Sequence, residues 1–313
     1  MRVFLIGSNG LLATAVGRYF SRLGIELDVV GRTFPRLYRP RRFVLADLTN
    51  IRPETLDDIG FSGYDLIVYT AGAGVHPDLR EDSDRIFALN VAFPTGLVSH
   101  LMRCGYGGAV VTFGSYFEIG ESVADKAWTE EDVMSSTCHV PNSYCVSKRM
   151  LTRFASSIDV DFKYYHLILP TVYAEYEASK RLIPYTVANI QNGIHGRYTS
   201  GNQVRQYVYA DDVADMIQGL HEKSCASGLY NVPGGDTLSV REVVKTIYEE
   251  SEVLMPNDMF GTAERDDAQM LDLRLDTTKL CSQIRGSGGQ NIRAYAKQLF
   301  SKLPDCRHKD TAK

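Results

Sequence analysis

A chain of 313 residues that is 44% hydrophobic is long enough to bury one large core or two smaller ones. Its net charge of −4 and pI near 6.0 exclude a strongly basic surface of the kind nucleic-acid binders carry. No apolar run reaches membrane-spanning length, and the six cysteines and seven histidines show neither CxxC nor HExxH spacing, so no metal, disulfide framework or membrane partner is expected.

The first predicted strand, RVFLI, runs directly into GSNGLLA, Gly7 to Ala13. Gly7 permits a tight turn, Gly10 lets a phosphate approach the backbone, and Ala13 lets the next helix sit close on the strand. That helix, LLATAVGRYFSRLG, is apolar on one face and ends at Gly24. Strand, glycine turn and helix in this order point to a bound dinucleotide. The next strand, ELDVV, ends in VVGRT. Where an acidic side chain would meet a free ribose, the chain offers Gly31 and Arg32. An arginine there pairs with a 2′-phosphate, which favours NADP(H) and leaves NAD(H) open. Arg36, Arg39, Arg41 and Arg42 read as a solvated basic loop.

FVLAD, DLIVYT, AVVTF and YYHLIL follow as compact apolar runs, the pattern of buried parallel strands. Their alternation with helical segments predicts an α/β fold, a Rossmann-type doubly wound parallel sheet with right-handed crossovers. After about residue 170 the rhythm becomes irregular: a helical VADMIQGLHEK, a short strand LYNVP and a helix SVREVVKTIYEE. The expected division is a dinucleotide-binding domain over 1–170 plus about 206–232, and a smaller mixed α/β substrate domain over about 171–205 plus 233–303. The polar end 304–313 reads as a flexible tail. Unpaired cysteines and a start that meets glycine too early for a signal peptide suggest the cytoplasm.

Within NSYCVSK, Tyr144 and Lys148 lie one helical turn apart on one face. The same spacing recurs in YEASK at Tyr176 and Lys180, so spacing alone does not choose between them. Their order along the chain does.

The ordered motifs resemble the extended short-chain dehydrogenase/reductase family, whose members act on nucleotide-linked sugars. The resemblance places Gly7, Asn9, Gly10, Leu11, Leu12, Arg32, Asp47, Leu48, Thr70, Ala71, Gly72, Asn90, Pro170 and Val172 beside the cofactor, together with Tyr144 and Lys148. It matches Ser115, five residues before Gly120, to the family's catalytic serine, and Tyr144 with Lys148 to its Tyr-x-x-x-Lys pair. Tyr116, Thr171 and Arg205 fall where relatives hold substrate, Arg205 at the diphosphate. Tyr176 and Lys180 follow the sixth strand and are expected to be a chance echo. A homodimer through helices flanking the sheet is compatible with this resemblance.

The chemistry expected of these parts is hydride transfer with Tyr144 as acid or base. A free tyrosine titrates near ~10, and a cation one turn away should favour its phenolate. Ser115 would orient the reacting oxygen. Related dehydratases carry an acidic pair after the serine, where this chain has Tyr116 and Phe117, with Glu118 one place too far along. That disfavours dehydration. Between reduction and epimerisation, Arg32 tilts towards a reductase of a 4-keto-6-deoxy sugar nucleotide, with epimerisation second. A non-catalytic dinucleotide sensor is the alternative from another class, against which stand both Tyr144 and Lys148.

Overall fold

The computed structural model describes residues 1–74, 82–122, 125–263, 270–284 and 289–301. The tail expected at 304–313 lies outside the described residues. In chain order come β1 (Arg2–Ile6), α1 (Leu11–Arg22), β2 (Glu26–Gly31), β3 (Arg42–Leu45), β4 (Leu66–Tyr69), α2 (Ser83–Phe87), α3 (Phe93–Arg103) and β5 (Ala109–Ser115). Next are β6 (Ala127–Trp128), α4 (Glu130–Ser135), α5 (Ser143–Ser157), β7 (Lys163–Leu169), β8 (Thr171–Tyr173), α6 (Leu182–Gln191), β9 (Val204–Tyr209) and α7 (Ala210–Glu222). The chain closes with β10 (Gly228–Asn231), β11 (Asp236–Ser239), α8 (Val240–Ser251), β12 (Asp272–Leu275), α9 (Thr278–Gln283) and α10 (Ile292–Ser301).

Seven strands form one parallel sheet in the order β10-β7-β5-β4-β1-β2-β3. The strand order reverses beside β1, whose neighbours are β2 and β4; open α/β sheets bind ligands at such a switch point, beyond the carboxyl ends of the strands. Both faces are covered by helices, so β1, β4 and β5 are almost wholly apolar and buried. One core packs α1 and α7 on one face; the other packs α3 and α5 on the opposite face. The expected doubly wound sheet is therefore present, with LYNVP supplying its seventh strand.

A second, smaller sheet runs β11-β9-β12-β6, with β8 paired to β9. It joins the segment after β5 to the C-terminal third of the chain. Local sequence patterns do not show these pairings, because partners such as Trp128 and Leu275 are far apart in the chain. Among the described residues, no helix is long and apolar enough to cross a membrane.

Candidate active site

At the end of β1 the chain turns on Gly7, whose φ is +113°; a Cβ there would lie 2.6 Å from Thr70 Oγ1 and 3.0 Å from Ala71 N. Only glycine lets this turn close against the end of β4, where Thr70 also donates to the Ile6 carbonyl at 3.0 Å. Gly10 then caps α1 with no side-chain cap and no acid in the first turn, and a Cβ on it would meet nothing within 4 Å. The first N–H groups of α1 thus face open space with the positive end of the helix dipole, a donor set that fits a pyrophosphate.

The Asn9 side chain fastens the glycine turn to the loop after β2. Its Nδ2 donates to Thr33 Oγ1 at 2.9 Å and to the Thr33 and Phe34 carbonyls, and its Oδ1 accepts from Arg36 N at 3.0 Å. Tyr38 anchors the same loop from its far end, donating to the Ser8 carbonyl at 3.0 Å and lying on Gly17, where a Cβ would sit 2.4 Å from the ring. Arg32 stands exposed on this loop. Asp47 accepts from Thr49 N at 3.1 Å and Thr49 Oγ1 at 2.9 Å, and these bonds, with a smaller contribution from the Arg32 charge, hold its carboxyl below the usual range. The Leu48 side chain is buried in the core, so this position offers a ligand only its backbone; Leu11 and Leu12 are half-buried against the other core. Just beyond the end of β4, Ala71 is half-buried and Gly72 is exposed.

Asn90 sits in a π-helical turn, Ala88–Ala92, between α2 and α3. Its amide holds Ala73 by both N and O, each at 3.0 Å, and donates to Ser147 Oγ at 2.9 Å. It thereby ties the loop after β4 to the helix that carries Tyr144.

Ser115 ends β5 and caps the short 3-10 turn Tyr116–Ile119, accepting from Phe117 N at 3.4 Å. The α5 helix starts at an Asn142 cap, whose Oδ1 accepts from Cys145 N at 3.0 Å. Tyr144 stands in its first turn, close enough to the Ser115 side chain for that hydroxyl to favour its ionised form. Lys148, one turn on, donates to the Phe113 carbonyl at 2.9 Å, and its Nζ lies 5.8 Å from the Tyr144 ring centroid. Fold and helix together therefore bring Ser115, Tyr144 and Lys148 to the carboxyl end of β5.

The electrostatics differ from expectation. Burial pushes Tyr144 up to about 12, with the Ser115 hydroxyl opposing it. Burial also pulls Lys148 down to about 8, against the attraction of Glu118. The loss of water around the phenol dominates, and the charge that opposes it beside the Ser115 hydroxyl is that of Arg181, so this phenol is less acidic than a free tyrosine despite the lysine one turn away. At neutral pH Tyr144 keeps its proton.

Glu118 is out of place for dehydration, and its surroundings explain why. It is fully buried, accepting from Ser115 N at 3.1 Å on the core side of the turn, and burial raises it to about 7. Tyr116 is also fully buried, and its hydroxyl meets Thr171 Oγ1 at 2.5 Å. Pro170 and Val172 are buried beside them, and the Val172 carbonyl accepts from Arg181 at 2.7 Å. Arg181 gave no signal in the sequence pattern, since only the fold brings it back to β8.

Arg205 lies on β9 with its guanidinium 5.7 Å from the Phe117 ring and a 2.8 Å bond to the Val204 carbonyl. It lines a cavity of about 220 Å³ with Lys180, Arg197, Tyr185, Thr199 and Gln203; among the described residues that lining has three basic groups and no carboxylate. Tyr176 and Lys180 fall in turns, not on a helix; Tyr176 packs under Arg18 at 5.4 Å while Lys180 lines this cavity. The echo pair is therefore split between two places. A larger groove, about 670 Å³, opens at the opposite, amino-terminal edge of the strands and holds none of the expected residues. Asp57, His100 and Cys104 bring three potential metal ligands together, but His100 Nε2 is already in direct contact with Asp57 Oδ1 at 2.5 Å, which is an ion-pair geometry.

Residues 3–232 match the family described as NAD dependent epimerase/dehydratase family. A curated relative, the CDP-abequose synthase of Salmonella muenchen, is 27% identical over 164 residues, covering 51% of this chain and 55% of the relative. The chain thus aligns with about half the length of that protein. Among solved structures, a double mutant of the dTDP-glucose 4,6-dehydratase DesIV from Streptomyces venezuelae, with NAD bound, superposes with a TM-score of 0.78 at 21% identity, over 96% of this chain and 97% of that one. The UDP-glucose 4-epimerase of Thermus thermophilus, in complex with NAD, gives 0.77 at 20% identity, over 97% and 100%. At these identities the likeness is one of fold.

Proposed function

This chain belongs to the NAD dependent epimerase/dehydratase family, and we propose that it reduces a nucleotide-linked 4-keto-6-deoxy sugar, with NADPH as the favoured reductant. The observation that carries this reading is the convergence of Ser115, Tyr144 and Lys148 at the carboxyl end of β5, with burial holding the phenol in its protonated form. A group that keeps its proton at neutral pH is poised to give it away, which suits reduction of a carbonyl better than oxidation of an alcohol.

The N-terminus of α1, the end of β4 and the Lys148 ammonium would hold the dinucleotide, with Arg32 beside the adenosine ribose. When bound, the reduced nicotinamide supplies the hydride for the carbonyl carbon. Ser115 holds the carbonyl oxygen against Tyr144, and Tyr144 passes its proton to that oxygen as negative charge develops there. Lys148 lends positive charge to the phenol as the proton leaves, and Asn90 keeps the helix and the loop after β4 in register for it. The basic cavity of Lys180, Arg197 and Arg205 would receive the nucleotide diphosphate. Glu118, the acid nearest Ser115 in the chain, is buried beneath the turn and away from the substrate side, which argues against dehydration. The related CDP-abequose synthase supports a nucleotide-linked sugar as substrate.

The test is incubation of the full chain with NADPH and nucleotide-linked 4-keto sugars, followed by absorbance and by analysis of the sugar. Stoichiometric NADPH oxidation with a reduced sugar is the expected result. An isomerised sugar with no cofactor consumed would replace this reading by epimerisation, and cofactor binding without turnover of any sugar would leave a sensor.

A further inference from the structure

Behind the candidate acid, five buried side chains form a connected file that proton donation by Tyr144 does not itself use: Glu118, Thr152, His166, Thr112 and Tyr164. Thr112 and Gly114 share the face of β5 that α5 covers, and Tyr164 and His166 share the matching face of β7, with His166 in register with Thr112. Gly114 makes the room. A Cβ there would lie 2.7 Å from Glu118 Oε1, 2.8 Å from His166 Nε2 and 3.0 Å from Thr152 Oγ1.

Glu118 Oε1 and Thr152 Oγ1 face the same space beside Gly114, close enough for Thr152 to favour the Glu118 carboxylate, and Thr152 Oγ1 lies 2.9 Å from His166 Nε2. His166 Nδ1 lies 2.8 Å from Thr112 Oγ1, which donates to the Tyr164 hydroxyl at 3.0 Å. Tyr164 lines the rear groove at the amino-terminal edge of the sheet. At the inner end, Lys148 precedes Thr152 by one turn on the same face of α5, and Glu118 Oε2 is buried with no hydrogen-bond partner.

We propose that Glu118 is a positioning residue for the candidate acid, exchanging its proton with the rear groove through Thr152, His166, Thr112 and Tyr164 and so setting the charge that Lys148 carries beside Tyr144. The proposal rests on Tyr144 being the acid. Outward transfer moves the Glu118 proton to Thr152, the Thr152 proton to His166 Nε2, the Nδ1 proton to Thr112, the Thr112 proton to Tyr164, and the Tyr164 proton to water in the groove. His166 changes tautomer and Glu118 is left a carboxylate; every other member is neutral before and after.

The charged groups facing Glu118 are Lys148 and Arg149 of α5, both of which favour its ionised form. His166 of β7 stays neutral, its imidazole driven down to about 3 by burial and by Lys148. Tyr144 is neutral, and a Glu118 carboxylate would raise it further. Ionised Glu118 stabilises the buried ammonium of Lys148; protonated Glu118 leaves it uncompensated. Two coupled groups that burial moves towards neutrality, one at about 7 and one at about 8, allow both states near neutral pH.

The test uses the full chain without substrate, following the infrared band of a protonated carboxyl between about pH 5 and 9. The component lost in Glu118→Gln should titrate near 7 in the wild type, and in Lys148→Met its midpoint should rise by about one unit or more. A midpoint unmoved by Lys148→Met overturns the coupling. On transfer to deuterium oxide, the same band should shift about tenfold or more slowly in Thr112→Val than in wild type. Tyr164→Phe, which removes one oxygen at the outer end, reads the same step if Thr112→Val disturbs packing. Exchange as fast as wild type in a folded file variant overturns the route. Because no sugar enters either measurement, these outcomes and those of the keto-sugar assay are separate.

Discussion

The ammonium of Lys148 donates to the Phe113 carbonyl at 2.9 Å, which pins the helix bearing Tyr144 to the strand that ends at Ser115. The lysine is thus a structural tie as well as a charge. Its burial sets the pH at which that charge is lost, near 8, while Tyr144 remains protonated to about 12. Reduction should therefore slow as pH rises through about 8, although the phenol itself is still intact there. Lys148→Arg, which stays charged, should move the decline in kcat to higher pH. A pH profile identical in the two proteins would remove Lys148 from the titration.

Tyr144→Phe keeps the ring and removes the proton. Turnover should fall by about 10²–10⁴, while NADPH binding followed by fluorescence stays within about twofold. Retention of more than about a tenth of wild-type kcat would show that another group supplies the proton.

Arg32 stands exposed just after β2, on a loop fastened by Asn9 and Tyr38, where the proposed reading puts the adenosine ribose. Arg32→Ala should raise KM for NADPH by about tenfold or more and leave KM for NADH nearly unchanged. Equal effects on both cofactors would discard the 2′-phosphate assignment.

Arg205 presents its guanidinium from β9 to a cavity whose described lining is basic. Arg205→Lys loses the planar fork and should raise KM for the nucleotide sugar by about tenfold, with a smaller change in kcat. Unchanged KM would place the diphosphate elsewhere.

Glu118 and Glu177 are both raised by burial to about 7, above their ordinary value of 4.5. The folded state then holds protons that the unfolded chain has released, so the contribution of these two groups to stability should fall as pH rises from about 4.5 to about 7 and level off above it. Glu118→Gln should flatten that slope, by at most on the order of 3 kcal/mol between the two limits, in urea unfolding at about pH 5 and about pH 7.5.

Much of this arrangement is legible in the residues themselves. RVFLI before GSNGLLA, and the later apolar runs, specify the parallel sheet because strands buried on both faces must be apolar at every position. The Tyr144–Lys148 spacing finds its helix and its serine. What escapes are properties that depend on distant chain: the second sheet pairs Trp128 with Leu275, and Arg181 reaches Val172 only once β8 is laid down. The direction of the Tyr144 shift also escapes, since spacing reports the nearby cation but not the loss of water around it. Nothing local marks Glu118 as buried until Gly114 is seen to open a space beneath it.

Tyr38 seated on Gly17 means that the arginine-bearing segment is wedged against the first helix before any nucleotide arrives. If Arg32 reads the 2′-phosphate as proposed, little ordering entropy remains to be lost on docking, and selectivity between the two nicotinamide dinucleotides would be a property of the resting fold. A methyl group at position 17 would unseat the Tyr38 ring and so loosen the arginine-bearing loop from a distance.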